Sequence, residues 1–128
     1  ISKVASGGET SRLMLSIKAL LNNHIKMPTL ILDEIDAGVS GEIAGKMANL
    51  LQNISLNTQL IVISHLPQVA AKADNHYKVQ KIDNSKKTET TIFRLDEKEK
   101  IEELTKMLSG ETLSQAARDN AIALRMNT

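Results

Sequence analysis

The hydrophobic pattern of the chain contains two continuous apolar runs that each end in polar residues. The first lies in the segment Thr29 to Asp36, where Leu-Ile-Leu is followed directly by the adjacent acids Asp33 and Glu34. The second covers Thr58 to Ser64, is rich in β-branched residues and is followed by His65. Uninterrupted apolar runs bounded by turn residues are typical of parallel strands buried on both faces. We therefore predict two neighbouring buried strands with the acids and the histidine at their carboxyl ends.

Helical periodicity surrounds these runs. An amphipathic pattern over Thr10 to Asn23 follows Ser-Gly-Gly-Glu, and a second begins after the turn at Asp36 to Gly41. The buried stripe predicted for this second helix is Ile43, Met47, Leu50, Leu51 and Ile54. A short helix is expected over Leu66 to Ala71, with Pro67 tolerated in its first turn.

The pattern changes again beyond His76. Alternation predicts two antiparallel strands, Tyr77 to Ile82 and Thr88 to Leu95, joined by a polar turn. A helix with Ile101, Leu104, Met107 and Leu108 as its apolar stripe is expected from Glu97 to a stop at Gly110, and a last helix from Thr112 to Arg125. The predicted fold class is α/β, with parallel core strands flanked by helices plus an antiparallel hairpin.

Composition restricts the class of protein. The chain has 128 residues with 41% hydrophobic content, which suits one domain with a real core. Its formal charge of +1 gives no global field toward nucleic acid or membrane. The lack of cysteine is compatible with a reducing cytoplasm. No apolar run spans a bilayer and no signal peptide opens the chain, so we expect a soluble intracellular protein. The first residue is Ile1 rather than methionine, which is compatible with a piece of a longer protein.

The acids and the histidine suit phosphoryl chemistry. The carboxyl ends of parallel strands are where open α/β sheets bind ligands. There Asp33 can support magnesium, Glu34 can orient or deprotonate water, and His65 can donate to a phosphate oxygen. The alternative is structural, since an acid after a strand often caps a helix or meets a lysine and a lone histidine is often a satisfied structural residue.

The glycine pair and the lysines carry similar alternatives. Ser6, Gly7, Gly8 and Glu9 precede a helix, whose N-terminus favours an anion such as phosphate, although an N-cap by Ser6 or Thr10 explains the same residues.

Five lysines against two aspartates between Lys72 and Lys87 form a faint basic patch, which fits solvated hairpin charge or a DNA-backbone contact. The segment Gly41 to Met47 is not a P-loop, because its glycines are one residue too close together and Met47 replaces the Ser or Thr.

Four motifs in order resemble those of ABC-type ATPase heads: Ser-Gly-Gly-Glu the signature, Leu-Ile-Leu-Asp-Glu the Walker B motif, the Asp36 turn the D-loop, and Ser64-His65 the H-loop. The fuller strings Lys3 to Glu9, Asp33 to Gly41 and Ser64 to Ala71 are similar to the RecN family of bacterial DNA repair proteins, in the SMC-like branch. The resemblance covers essentially the whole chain and implies the fold of a P-loop NTPase head.

The resemblance also implies roles for single residues. Ser6, Gly7, Gly8 and Glu9 are expected to bind the nucleotide of the opposite protomer. Asp33 is expected to support magnesium, Glu34 to polarise the hydrolytic water and His65 to contact the γ-phosphate. Asp36 is expected to link the two active sites across the dimer.

The implied function is ATP binding and hydrolysis in DNA double-strand break repair, by a protein that clamps or tethers DNA. Residues 1–128 would be the C-terminal part of the head, inactive alone because the Walker A lysine, the Q-loop and the coiled-coil arm are missing. The implied cofactors are ATP and Mg²⁺. The implied partners are the N-terminal half of the head, a second head in a head-to-head homodimer, and DNA, with no membrane, in the cytoplasm at the nucleoid. Two alternatives stay open, the nucleotide-binding domain of a transporter and a non-catalytic interaction module.

Overall fold

A computed structural model describes residues 16, 28–36, 38–84, 87–110 and 114–126 of the chain. The predicted Ser-Gly-Gly-Glu motif and most of the helix predicted after it lie outside these residues. Chain contacts divide the molecule into two compact units, one up to Lys72 and the other from Ala73. The prediction that residues 1–128 form one part of a head stays a prediction.

The first unit is built on two parallel strands. Strand β1 is Thr29–Asp33 and strand β2 is Gln59–Ile63, with Thr29 opposite Gln59 and Asp33 opposite Ile63. A parallel pair requires a crossover, which helix α1, Gly41–Ser55, supplies. Both predicted strands are confirmed, although each is shorter than its apolar run.

Helix α1 packs its apolar stripe against one face of the two strands. Leu30 and Leu32 of β1 are buried there. The stripe differs from the prediction at its start, because Ile43 is 56% exposed while Ala44 and Ala48 are fully covered. The remaining predicted members are buried or half-buried in the same cluster, namely Met47, Leu50, Leu51 and Ile54.

The prediction that the strands are buried on both faces is wrong for the described residues. Ile31, Ile61 and Ile63 are 60%, 45% and 54% exposed, on the face opposite α1. Successive side chains of a strand point to opposite faces, and the described helices cover one of them. An apolar run indicates that both faces of a strand suit burial, but it does not indicate which elements cover them.

A short helix completes this unit. Helix α2, Pro67–Ala71, starts with proline in its first turn, as predicted. Leu66 and Val69 pack against the same core as α1, so α2 fixes the chain directly after the end of β2.

The second unit contains a hairpin and two helices. Strands β3, Tyr77–Asn84, and β4, Lys87–Arg94, are antiparallel with Tyr77 opposite Arg94, so each reaches slightly further toward the turn than predicted. Helix α3 is Glu97–Ser109 and helix α4 is Gln115–Met126. The two helices pack on each other.

Helix α3 has well-defined ends. A capping box joins Asp96 and Glu99 at its start, and Gly110 with φ of 66° follows its last turn, as the sequence predicted. Leu104 of the predicted stripe is fully buried, whereas the burial of Lys100 was not predicted. Of the helices in the described ranges, none has the length and apolarity needed to cross a membrane.

Candidate active site

The carboxyl edge of β1 and β2 brings the predicted acids beside the predicted histidine. Asp33 is the last residue of β1 and lies opposite Ile63, the last residue of β2. The backbone N–H of Glu34 donates to the Ile63 carbonyl at 3.3 Å, which extends the pairing one residue past the strand. Asp33 and Glu34 are both exposed, and the chain after Ile63 leads directly to His65. The residues singled out on the two apolar runs therefore share one edge.

Glu34 has a left-handed backbone, with φ of 49°, and among the described residues no other non-glycine residue has a positive φ. This region is disfavoured for residues with a Cβ atom, and such strain is concentrated at functional sites. Its effect here is local and visible, because the strand ends at Asp33 and the chain turns into the Asp36 segment. The sequence carried no signal for this conformation, since glutamate is not a residue that favours it.

Asp36 is the most buried charged side chain of the edge, with 1% of its surface exposed. Its Oδ2 atom accepts a hydrogen bond from the Ser64 hydroxyl at 2.5 Å and one from the His65 backbone N–H at 2.9 Å. The Nδ1 atom of His65 lies 3.1 Å from the same oxygen. Asp36 Oδ2, in the segment after β1, thus contacts the residues that follow β2.

Burial by itself raises the pKa of the Asp36 carboxyl, but the hydrogen bonds from Ser64 and His65 outweigh it and the pKa lies below its usual value. The group is therefore an anion at neutral pH and can only accept hydrogen bonds. Within the described part of the chain, its other oxygen, Oδ1, is buried and has no hydrogen-bond partner.

Ser64 connects this cluster to the next helix. Its oxygen accepts the backbone N–H of Leu66 at 3.0 Å while its hydroxyl donates to Asp36. His65 follows Ser64 and contacts Asp36 through its backbone N–H and its ring Nδ1. Its side chain is nevertheless 77% exposed. The imidazole thus contacts Asp36 through Nδ1, while most of its surface is exposed.

Four of the predicted site residues meet at this edge: Asp33, Glu34, Asp36 and His65. Ser6, Gly7, Gly8 and Glu9 lie outside the described residues, so the signature assignment stays a prediction. Ser64 was noted only as part of a motif, and its hydrogen bond to Asp36 was missed, because the contact joins residues 28 positions apart. The roles assigned to all these residues also remain predictions.

The basic patch is partly occupied by contacts inside each unit. Lys72 donates to the Gln52 side chain at 3.0 Å. Lys78 forms an ion pair with Glu103. Lys81 is exposed on the hairpin. The interpretation as structural or solvated charge accounts for these three lysines.

The acids at the edge suit a magnesium ion carried by a nucleotide better than a metal cage made by protein alone. No group of three or more candidate ligand side chains occurs among the described residues. Magnesium is commonly bound by one or two carboxylates together with phosphates and water. Asp33, exposed at the tip of β1, offers such a carboxylate.

A solved structure described as "Structural biochemistry of ATP-driven dimerization and DNA stimulated activation of SMC ATPases" resembles this chain. The TM-score is 0.66 at 22% identity, over 86% of this chain and 66% of the solved one. The chain therefore shares the fold of this solved structure, and the predicted α/β class is confirmed.

Sequence relatives narrow the resemblance to one group of proteins. The chain is 48% identical over 117 residues to the DNA repair protein RecN of Rickettsia conorii, 40% identical over 121 residues to that of Halalkalibacterium halodurans and 39% identical over 121 residues to that of Bacillus subtilis. These alignments cover 91% to 94% of this chain, so the predicted resemblance to RecN is confirmed. The chain spans 21% to 22% of the length of these relatives. No family model matches the chain.

Proposed function

We propose that this chain is part of an ATP-hydrolysing head of a RecN-like protein that acts in DNA double-strand break repair by clamping or tethering DNA. The observation that carries the proposal is the shared edge of β1 and β2, where two exposed acids lie beside a tethered, exposed histidine. Relatives named DNA repair proteins favour this function over that of a transporter domain.

Each residue of the edge has a proposed task. Asp33 supports a nucleotide-bound Mg²⁺, which neutralises phosphate charge when present. Glu34 orients or deprotonates the attacking water, and His65 contacts the γ-phosphate. Ser6, Gly7, Gly8 and Glu9 act on the nucleotide of a partner protomer, and Asp36 connects the two sites. These tasks follow from motif order and from the chemistry of each side chain.

The proposed partners are the N-terminal half of the same head, a second head in a head-to-head homodimer, and DNA. The 128 residues do not include a loop of the G-x-x-x-x-G-K-[ST] type, so the α- and β-phosphates need a loop from outside them. The exposed apolar face formed by Ile31, Ile61 and Ile63 offers a surface on which the other half of the head can pack. The proposed location is the cytoplasm, at the nucleoid.

The test is Glu34→Gln in the complete protein. The amide keeps the size of the side chain but cannot take up a proton, so we expect nucleotide binding to persist while hydrolysis falls by about a hundredfold or more. Steady-state phosphate release and equilibrium binding of ATP measure the two properties separately.

Glu42→Gln is the matched control, because Glu42 is an exposed glutamate eight residues further along the chain that pairs with Lys46 in the next turn of α1. It should turn over ATP at the parental rate. Hydrolysis by Glu34→Gln at the parental rate would exclude Glu34 from the chemistry and remove the main support for the proposed function.

A further inference from the structure

We propose that Asp36 is a positioning residue for His65 of its own chain, fixing the imidazole with a hydrogen on Nδ1 and leaving Nε2 as the nitrogen offered to the nucleotide. This inference rests on the proposed function and adds to it an intramolecular role for Asp36, separate from a link across the dimer. The observation behind it is the contact of 3.1 Å between His65 Nδ1 and the buried Oδ2 of Asp36.

The position of the hydrogen follows from the chemistry of the acceptor. An ionised carboxylate has no hydrogen to donate, so a bare lone pair on Nδ1 facing Oδ2 at 3.1 Å is repelled, whereas a hydrogen on Nδ1 is attracted. Nδ1 therefore carries the hydrogen in both the neutral and the protonated ring. A second proton, when present, is on Nε2, from which it can be donated to a phosphate oxygen.

The surroundings hold Asp36 in place for this task. The same oxygen accepts the Ser64 hydroxyl and the His65 backbone N–H, so the carboxylate is fixed relative to the backbone of the residue it orients. Asp36 is 1% exposed, while the His65 side chain is 77% exposed. A buried group with three contacts to one short segment restrains the imidazole, which would otherwise rotate freely in solvent.

The ring therefore has two different ends. Nδ1 faces Asp36, and 77% of the side-chain surface is exposed. An imidazole that is oriented before ATP arrives loses less freedom when it contacts the phosphate. Loss of Asp36 should consequently reduce the rate of hydrolysis more than it weakens ATP binding.

The first experiment is a double-mutant cycle in the complete protein, with Asp36→Asn, His65→Gln and the two combined. If Asp36 acts through His65, each single variant lowers kcat by about tenfold or more with KM for ATP changed less than about twofold, and the double variant is no slower than His65→Gln. If the two losses multiply in the double variant, Asp36 acts independently of His65 and the inference is overturned.

The second experiment reads the ring directly. Nitrogen-15 NMR of the complete protein labelled at histidine, with His65 assigned from the signal lost in His65→Gln, reports which ring nitrogen carries the hydrogen. We expect Nδ1 to be protonated in the parent and the population to move toward the other tautomer in Asp36→Asn. Glu42→Gln is the control, because Glu42 lies exposed on α1 and pairs with Lys46, and it should leave the tautomer unchanged.

The parental spectrum alone can overturn the inference, whether or not the Asp36 variant folds. A parent with hydrogen only on Nε2 excludes the proposed contact, as does an unchanged tautomer in a folded Asp36→Asn. Failure of the proposed function is distinguishable, because hydrolysis at the parental rate by Glu34→Gln overturns that function and with it this inference. If Glu34→Gln loses hydrolysis as expected but the kcat losses of Asp36→Asn and His65→Gln multiply in the double variant, only the inference is overturned.

Discussion

At the scale of single residues, Glu97 shows how an exposed acid can hold two helix ends together. Its carboxylate accepts hydrogen bonds from Lys100 Nζ at 2.6 Å and from Arg125 Nε at 3.1 Å. Arg125 also donates to the Ala73 carbonyl at 3.3 Å. Glu97 begins α3 and Arg125 belongs to the last turn of α4, so the contact joins the two helices. The hydrogen bonds from Arg125 and Lys100 lower the pKa of Glu97 from 4.5 to about 2.

This pKa predicts an acid-sensitive contribution to stability. A carboxyl whose folded pKa is depressed stabilises the fold fully above its unfolded pKa and loses that effect as pH falls toward the folded value. Stability should therefore decline between pH 4.5 and about 2, and Glu97→Gln should flatten the decline. The effect is small, because exposed ion pairs are screened by solvent. Urea unfolding across this pH range measures it.

Glu102→Gln is the matched control, since Glu102 is an exposed glutamate on the same helix. It should retain the pH dependence of the parent. Equal curves for the Glu97 and Glu102 variants would contradict a special role for Glu97.

Buried charges are the residues that the sequence predicted least well. Lys100 is 4% exposed and donates to the Asp74 carbonyl at 2.8 Å, yet it lies in a run of charged residues that suggests a solvated face. Asp36 was singled out by its motif and not by any sign of burial. The partners of Asp36 and the carbonyl partner of Lys100 are distant in sequence and are decided by tertiary structure, whereas Glu97 pairs with Lys100 within the same helix.

At the scale of elements, α3 has the most explicit start signal. The Asp96 side chain accepts the backbone N–H of Glu99 at 2.8 Å, and the Glu99 side chain accepts the backbone N–H of Asp96 at 2.8 Å. The first amides of a helix lack partners inside the helix, and a capping box satisfies two donors at once. This explains why a helix with many charged residues begins at a defined position.

Removal of the cap should be measurable. We expect Asp96→Ala to lower the free energy of unfolding by about 1 kcal/mol, because an alanine side chain cannot accept a hydrogen bond from the Glu99 backbone N–H. Asp96→Ser retains an oxygen at the same place and should lose much less. The comparison uses urea unfolding at neutral pH. Equal losses in the two variants would show that the side-chain acceptor is not what stabilises the helix start.

Element type was predicted well and element faces less well. The order strand, helix, strand, short helix, hairpin and two helices follows from periodicity, proline and glycine, which act locally. Ile43 was placed in the buried stripe of α1 but is exposed, and the burial of two alanines instead reflects close approach of the helix to the strands. Periodicity fixes which residues share a face, whereas the contact partner decides which edge of that face is covered.

At the scale of the whole molecule, the juxtaposition of Asp33, Glu34 and His65 was predictable because adjacent parallel strands end at one edge. The contact of Asp36 with Ser64 and His65 was not, since it depends on how two loops pack after the strands are formed. The exposed face of Ile31, Ile61 and Ile63 was also not predicted. An apolar strand pattern indicates that both faces suit burial, but it does not indicate which part of a protein covers each face.

The last prediction concerns what the 128 residues do alone. We expect them to bind ATP weakly and not to hydrolyse it, because the sequence contains no loop of the G-x-x-x-x-G-K-[ST] type to cradle the α- and β-phosphates. In the proposed function, the edge of β1 and β2 serves the magnesium ion, the γ-phosphate and the water. Calorimetry with ATP and Mg²⁺ and a phosphate-release assay measure the two properties, with the complete protein under the same conditions as the positive control. Tight binding with turnover by the 128 residues would contradict the division of the site between this chain and the rest of the head. Turnover that appears only when the remaining part of the head is added back would support it, since acids and histidine at a strand edge act on phosphate only after the nucleotide has been placed there.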